Sequence, residues 1–240
     1  IRLSDKYIRH TRALKIHPTG RCGQQEWRPY KNIASRLIYT THSIGMGNLF
    51  SHNFILPVMK IYAFDFDGTL TTKDTLIEFI RYAKGTTKMF LGFALYSPWL
   101  ILMKLHLYSN YRTKEKIFTH FFRGTNIEDF DRLCSDFAND NKKLLRPEAA
   151  EYIKSVDTSE NRMYIVSASI DNWVKPFATM LSKNIQVIGT KIEINKGIIT
   201  GHFLTSNCYG KEKVNRLMEV LPAEKNCYEL IDFGDSRVNK

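Results

Sequence analysis

From Met59 onward, short apolar runs alternate with stretches whose apolar residues recur every three or four positions, the pattern of strands interleaved with amphipathic helices. Ile61–Phe66 reads as a strand and Thr72–Lys84 as a helix ended by Gly85. Residues 87–146 read as helices punctuated by Gly124 and Pro147, and Pro147 suits the first turn of a further helix running to Val156. Met163–Val166 reads as a buried strand, Asp171 as the N-cap of a helix Trp173–Leu181, and Ile185–Ile188 as the next strand. Lys191–Phe203 reads as a hairpin turning at Asn195-Lys196-Gly197, followed by a helix Lys211–Val220 and a strand Tyr228–Phe233. This order predicts an α/β protein with a parallel core and a helical insertion after the first strand.

Residues 1–58 carry neither period. Turn-prone groups such as His17-Pro18-Thr19-Gly20 and Gly45-Met46-Gly47-Asn48 are scattered through them, and the stretch does not read as a folded element. Met59-Lys60 reads as the natural start, which would make 1–58 an overextended frame or a fusion. An Arg-rich, acid-poor leader also resembles an organelle transit peptide, and a small folded module is the third reading.

The longest apolar run, Met89–Met103, holds 15 residues between Lys88 and Lys104 with Pro98 inside. That is short of the roughly 20 needed to span a bilayer, so a buried or kinked helix pair is expected. The alternative is interfacial membrane contact through 89–103, because Trp99 and the flanking lysines suit a headgroup boundary.

Composition narrows the function. A chain of 240 residues can bury a core domain with an inserted lobe, and 43% hydrophobic with 25% charged residues excludes wholesale disorder and a multi-span membrane protein. The net charge of +11 raises nucleic-acid binding, but 1–58 supplies +7 of it from nine Lys/Arg against two Asp/Glu. No RNA- or DNA-binding motif is present, so no nucleic-acid partner is expected. Cys22, Cys134, Cys208 and Cys227 form no Cys-x-x-Cys pair or zinc-like spacing and read as reduced thiols of a cytoplasmic protein.

Four polar spots fall at strand ends or helix starts, where a parallel α/β core places ligands. In Phe64-Asp65-Phe66-Asp67-Gly68-Thr69-Leu70-Thr71, two carboxylates at i and i+2 leave a strand on the same side, about 7 Å apart along it. Burying two like charges is costly unless a cation sits between them or one is protonated, and Mg²⁺, a hard ion that takes oxygen ligands and phosphate together, suits the arrangement. Ser167, in Tyr164-Ile165-Val166-Ser167-Ala168-Ser169, offers a hydroxyl for phosphate at the end of the next strand. Lys211, in Tyr209-Gly210-Lys211-Glu212-Lys213, stands at a helix start, where ammonium and helix dipole both favour an anion. The acidic group of Gly234-Asp235-Ser236 follows the last strand and can complete a metal site. Each spot alone is more often a turn or a solvated charge; their order along one sheet is what carries the signal.

Asp65-x-Asp67-Gly-Thr-Leu-Thr, Ser167, Lys211 and Gly234-Asp235-Ser resemble the four motifs of the haloacid dehalogenase (HAD) superfamily, and the likeness covers 59–240. It implies a Rossmann-like core in 59–71 and 147–240, with 72–146 as a helical C1 cap like that of the phosphoserine phosphatase subgroup, HAD-IB. Ser97-Pro98-Trp99 and Tyr108-Ser109-Asn110 resemble uncharacterised HAD-IB hydrolases more than phosphoserine phosphatase itself. The implied reaction is hydrolysis of a small phosphorylated metabolite. Asp65 would be the nucleophile that becomes an aspartyl-phosphate, and Asp67 the acid and base, which needs a pKa raised by its neighbours. Mg²⁺ would be held by Asp65, the Asp67 backbone carbonyl and Asp235, while Ser167 and Lys211 balance the phosphoryl oxygens. Dehalogenases of this superfamily lack an acid two residues after the nucleophile and P-type ATPases carry Thr there, so Asp67 favours a phosphatase. Asp74, seven residues after Asp67, lies where phosphoserine phosphatases contact the substrate amine, and it reads equally as a helix cap; the substrate is not assigned from it.

The pattern departs from the family at the end of the chain. A second acid is expected in Gly-Asp-x-x-x-Asp, but the aligned position is Asn239, and the further strand and helix of the family do not follow. A truncated chain, weaker metal binding and an open edge at Tyr228–Phe233 are therefore expected, and an inactive or weakly active HAD-like fragment is the rival reading.

Overall fold

The computed structural model describes residues 11–15, 28–29, 59–205, 208, 211–221 and 228–234. Its main sheet has six strands in the order β2-β1-β8-β3-β4-β5. These are β1 (Thr11–Lys15), β2 (Arg28–Pro29), β3 (Met59–Phe64), β4 (Arg162–Ile170), β5 (Ile185–Thr190) and β8 (Tyr228–Phe233). β8, β3, β4 and β5 run parallel, with Ile61 opposite Leu230 on one side and Arg162 on the other. The central strand β3 is buried from Ile61 to Phe64, as its continuous apolar run requires for a strand covered on both faces.

Between β3 and β4 lie the helices α1 (Thr75–Lys84), α2 (Thr86–Leu95), α3 (Ser97–Lys104), α4 (Asn110–Phe122), α5 (Ile127–Asp140) and α6 (Pro147–Val156). α7 (Asp171–Leu181) follows β4 and α8 (Lys211–Val220) precedes β8. The core is heavily aromatic. Phe79 of α1 stacks on Trp173 of α7 at 4.8 Å and meets Phe137 of α5 at 5.2 Å, tying the insertion to the sheet-covering helix.

A two-stranded hairpin, β6 (Ile192–Asn195) and β7 (Ile198–Phe203), turns at Lys196 and Gly197, both with positive φ, as a tight hairpin turn demands. This hairpin packs on the inserted helices. The Thr119 hydroxyl of α4 donates to the Gly201 carbonyl at 2.7 Å, and the Ile199 N–H donates to the Thr125 carbonyl at 2.9 Å.

Several boundaries differ from the sequence pattern for local reasons. The first strand ends at Phe64, and 66–70 form a wide turn in which the Thr71 N–H donates back to the Phe66 carbonyl. α1 begins at Thr75 because Asp74 caps it, accepting from the N–H groups of Leu76 at 3.0 Å and Ile77 at 3.4 Å. Asp171 does not cap α7; it lies in the first turn, where its carboxylate holds Lys175 at 3.0 Å. The run 89–103 is a helix pair broken at Tyr96, with Pro98 in the first turn of α3, but its outward half is exposed rather than buried. β8 is not an open edge, because β1, from the stretch without periodicity, pairs with it antiparallel, Thr11 opposite Phe233 and Lys15 opposite Glu229.

Candidate active site

The site forms where β3 ends. The Asp65 N–H donates to the Phe233 carbonyl of β8 at 2.8 Å, so the last backbone bond of the β3–β8 ladder fixes the residue that carries the first carboxylate. One oxygen, Oδ1, accepts from the Phe66 N–H at 2.8 Å and lies 2.7 Å from Lys213 Nζ. The other makes no hydrogen bond among the described residues. Burial pushes the Asp65 carboxyl above the ordinary carboxylate range; Lys213 opposes that rise and the neighbouring charge of Asp67 adds to it. Gly234, directly after β8, packs against it, since a Cβ there would meet Asp65 Cβ at 3.8 Å.

Gly68, at φ 79°, turns the chain through a region that side chains disfavour. Arg146 braces this turn from the far end of the insertion, donating from Nε to the Thr71 carbonyl at 3.2 Å and from Nη2 to the Gly68 carbonyl at 3.3 Å. The second carboxylate, Asp67, is held by three donors. Thr75 gives its N–H at 2.8 Å and its hydroxyl at 2.7 Å to Oδ1, and the Ser169 hydroxyl gives to Oδ2 at 2.5 Å. The indole N–H of buried Trp173 donates in turn to the Thr75 hydroxyl at 3.2 Å. The carboxylate is thus oriented by α1, β4 and α7 together, a support for a group that must act in one direction.

Ser167 is buried beside this turn on β4, and its hydroxyl accepts from the Ser169 N–H at 3.0 Å. Asp74 reaches solvent, yet the protein around it strips enough hydration to raise its carboxyl; the charge of Asp67 adds to the rise and Lys114 of α4 opposes it. That places a cation of the inserted helices near the mouth of the site. Lys211 opens α8, its side chain outside the described residues, and Asp235 and Asn239 also lie outside them.

Lys213, whose ammonium lies on Asp65, stands two residues beyond Lys211, the lysine singled out by the sequence. Both lie in the first turn of α8, whose rotation on the sheet sets which of its side chains reach Asp65. That rotation is set in part by Arg216, whose Nη1 donates to the Gly189 carbonyl of β5 at 2.8 Å. Ser169 was also missed, although its signal was present: i and i+2 on a strand share a face, so Ser167 and Ser169 rise together. Thr75 and Arg146 leave no local signal, because they reach the site from a helix start and from 78 residues further along than Gly68.

Among the described residues no three His, Cys, Asp or Glu side chains converge as a metal cluster. The group present is nonetheless an oxygen donor, the Asp65 carboxylate, one oxygen of which makes no hydrogen bond among the described residues, and the sequence attaches Asp235 to the glycine that packs on Asp65. A hard divalent cation fits that donor set.

Known proteins resemble the chain over much of its length. The profile of the haloacid dehalogenase-like hydrolases matches residues 62–238. Protein CicA of Caulobacter vibrioides is 35% identical over 164 residues, covering 67% of this chain and 72% of CicA. Among solved structures, a protein of unknown function from Bordetella pertussis Tohama I superposes with TM-score 0.58 at 16% identity, over 68% of this chain and 74% of that one. A phosphoserine phosphohydrolase-like protein from Francisella tularensis does so with TM-score 0.51 at 19% identity, over 69% and 76%.

Proposed function

The chain belongs to the haloacid dehalogenase-like hydrolase family, and from that premise we propose that it is a Mg²⁺-dependent phosphomonoester hydrolase acting on a small phosphorylated metabolite through an aspartyl-phosphate. The observation that carries the reading is the 2.7 Å contact between Lys213 and Asp65, which sets a cation from a distant segment on the carboxylate at the end of the central strand.

In this reading the Asp65 carboxylate attacks phosphorus, forming an O–P bond as the bond to the leaving oxygen breaks. Asp67, aimed by Thr75 and Ser169, delivers a proton to that oxygen and then takes one from the water that hydrolyses the acyl phosphate, returning Asp65 as carboxylate. Lys213 balances charge on the phosphoryl oxygens, with Ser167 as a further donor and Lys211 a second cation of the same turn. Asp65, the Asp67 carbonyl and Asp235 would hold Mg²⁺, which would supply the charge neutralisation that lets an anion approach an anion. Asp74, near Lys114 of the inserted helices, is the group here proposed to meet the rest of the substrate.

The test is phosphate release from a panel of phosphorylated metabolites, with and without Mg²⁺, by the parent and by Asp65→Asn. Turnover that needs Mg²⁺ and vanishes in Asp65→Asn is expected. Equal rates in the two proteins would exclude covalent catalysis at Asp65.

A further inference from the structure

Helix α2 reads Thr-Thr-Lys-Met-Phe-Leu-Gly-Phe-Ala-Leu, apolar on nearly every side. Such a helix needs cover around its whole circumference. Its inward side has it: Met89 and Gly92 are buried, and Gly92 is so tightly seated that a Cβ there would stand 2.2 Å from Cζ of Phe121. Its outward side does not. Phe90, Leu91 and Leu95 of α2, with Ile101, Leu105 and Leu107 on and after α3, are between 57% and 73% exposed. α3 has no fully buried residue at all. Large apolar side chains left this exposed on two successive helices mark an interaction surface.

Charge identifies what covers it. From Phe79 through Lys114 the chain contains no Asp or Glu, while Arg81, Lys84, Lys88, Lys104, Arg112 and Lys114 fall in that span. Tyr96 and Trp99, partly buried, sit at the junction of the two helices, and Lys116 lies over the Trp99 ring at 5.6 Å. Leucines alone would serve a protein groove; leucines framed by lysines and amphipathic aromatics with no carboxylate match the layered chemistry of a negatively charged lipid surface. A cavity of about 510 Å³ between α2 and α4 repeats the theme, lined by Lys84, Lys88 and His120 together with Leu91 and Leu95. Neither lysine has a carboxylate partner among the described residues. Lys84 is pushed below its ordinary pKa by burial and by the charge of Lys88, and an anion beside it would offset that charge.

We propose that the outward face of α2 and α3 docks on an anionic phospholipid bilayer, the leucines and Phe90 entering the acyl boundary and Lys84, Lys88 and Lys104 meeting the phosphates. The surface lies on the membrane and does not cross it. No described helix is long and apolar enough to span, and ten residues make only about 15 Å of helix against a hydrocarbon core of about 30 Å. The proposal does not depend on the phosphatase reading.

The test is flotation of the full chain with vesicles of phosphatidylcholine alone or with roughly one-third phosphatidylglycerol added, at low and high salt. Binding is expected to the anionic vesicles and to fall with salt. Lys84→Gln and Lys88→Gln should each weaken it roughly fivefold. Leu91→Ser, Leu95→Ser and Leu105→Ser, changes at exposed positions that leave the circular dichroism spectrum unaltered, should each weaken it about tenfold. Asp65→Asn should bind as the parent does, which separates this proposal from the catalytic one. The proposal is overturned by absence of binding to anionic vesicles, by equal binding to neutral ones, or by binding that survives the serine variants and so resides in the basic residues of 1–58. It is also overturned if the vesicles do not bind and light scattering shows a dimer that the serine variants dissociate.

Discussion

At the scale of single residues, Lys213 and Asp65 decide how the site responds to pH. In the proposed reaction Asp65 must be ionised to attack, and burial raises its pKa, so activity is expected to fall as pH drops through that raised value. Lys213 holds the pKa down. Lys213→Gln is therefore expected to move the acid limb of the kcat/KM profile to higher pH and to lower the plateau roughly 10²–10³-fold, as loss of one preorganised charge donor does. An acid limb that stays in place would show that the lysine does not act on the nucleophile. The thiols give a separate check. Cys134 and Cys208 are fully buried and burial raises the pKa of both, so neither offers a thiolate near neutral pH. Peptide mapping after iodoacetamide should find both unmodified in the folded protein and labelled in denaturant. The carboxylates of this site were legible as two acids closely following an apolar strand, although they stand in the turn after β3 and not on the strand the spacing predicted. The sequence pointed to Lys211 and not to Lys213, because which lysine of that turn reaches Asp65 belongs to the docking of α8 and not to its sequence.

At the scale of elements, close packing between helices sets what the pattern alone could not. α2 and α4 approach where Gly92 meets the Phe121 ring, and no side chain fits between them. Gly92→Ala should cost about 1–3 kcal/mol in urea unfolding, the usual cost of overpacking, and Phe121→Leu in the same chain should recover part of it. Asn126, whose side chain accepts from the Glu128 N–H at 2.8 Å, caps α5, and Asn126→Ala should cost about 1 kcal/mol by the same measurement. Helix and strand types among the described residues of 59–233 followed from periodicity, whereas the ends moved by tertiary bonds. α1 starts late because Asp67 and Asp74 claim the N–H groups of its first residues, Thr75 and then Leu76 and Ile77. The pairing of the 192–203 hairpin with α4 was not readable at all, because its bonds join residues more than 70 positions apart.

At the scale of the whole molecule, the parallel core closes with a strand taken from far upstream. β8 lies between β3 and β1, and the five pairs from Thr11–Phe233 to Lys15–Glu229 occupy backbone groups that would otherwise face water along the outer side of β8. Nothing in the sequence announced this, because a five-residue strand, Thr-Arg-Ala-Leu-Lys, is too short and too polar to stand out against its surroundings. The consequence can be measured. A chain beginning at Met59 keeps Asp65, Asp67, Ser169 and Lys213 and the four parallel strands that position them, so it should retain Mg²⁺-dependent turnover at low concentration. It also presents an unpaired strand edge next to the site, a template for another chain. Light scattering should therefore show association that rises with concentration for the shortened protein and not for the full one, and a charge placed in the outer edge, Leu230→Lys, would not serve as a remedy because Leu230 is buried. If the shortened chain remains monomeric over the full range, β1 does not protect β8, and the role of the upstream strand in closing the sheet is refuted.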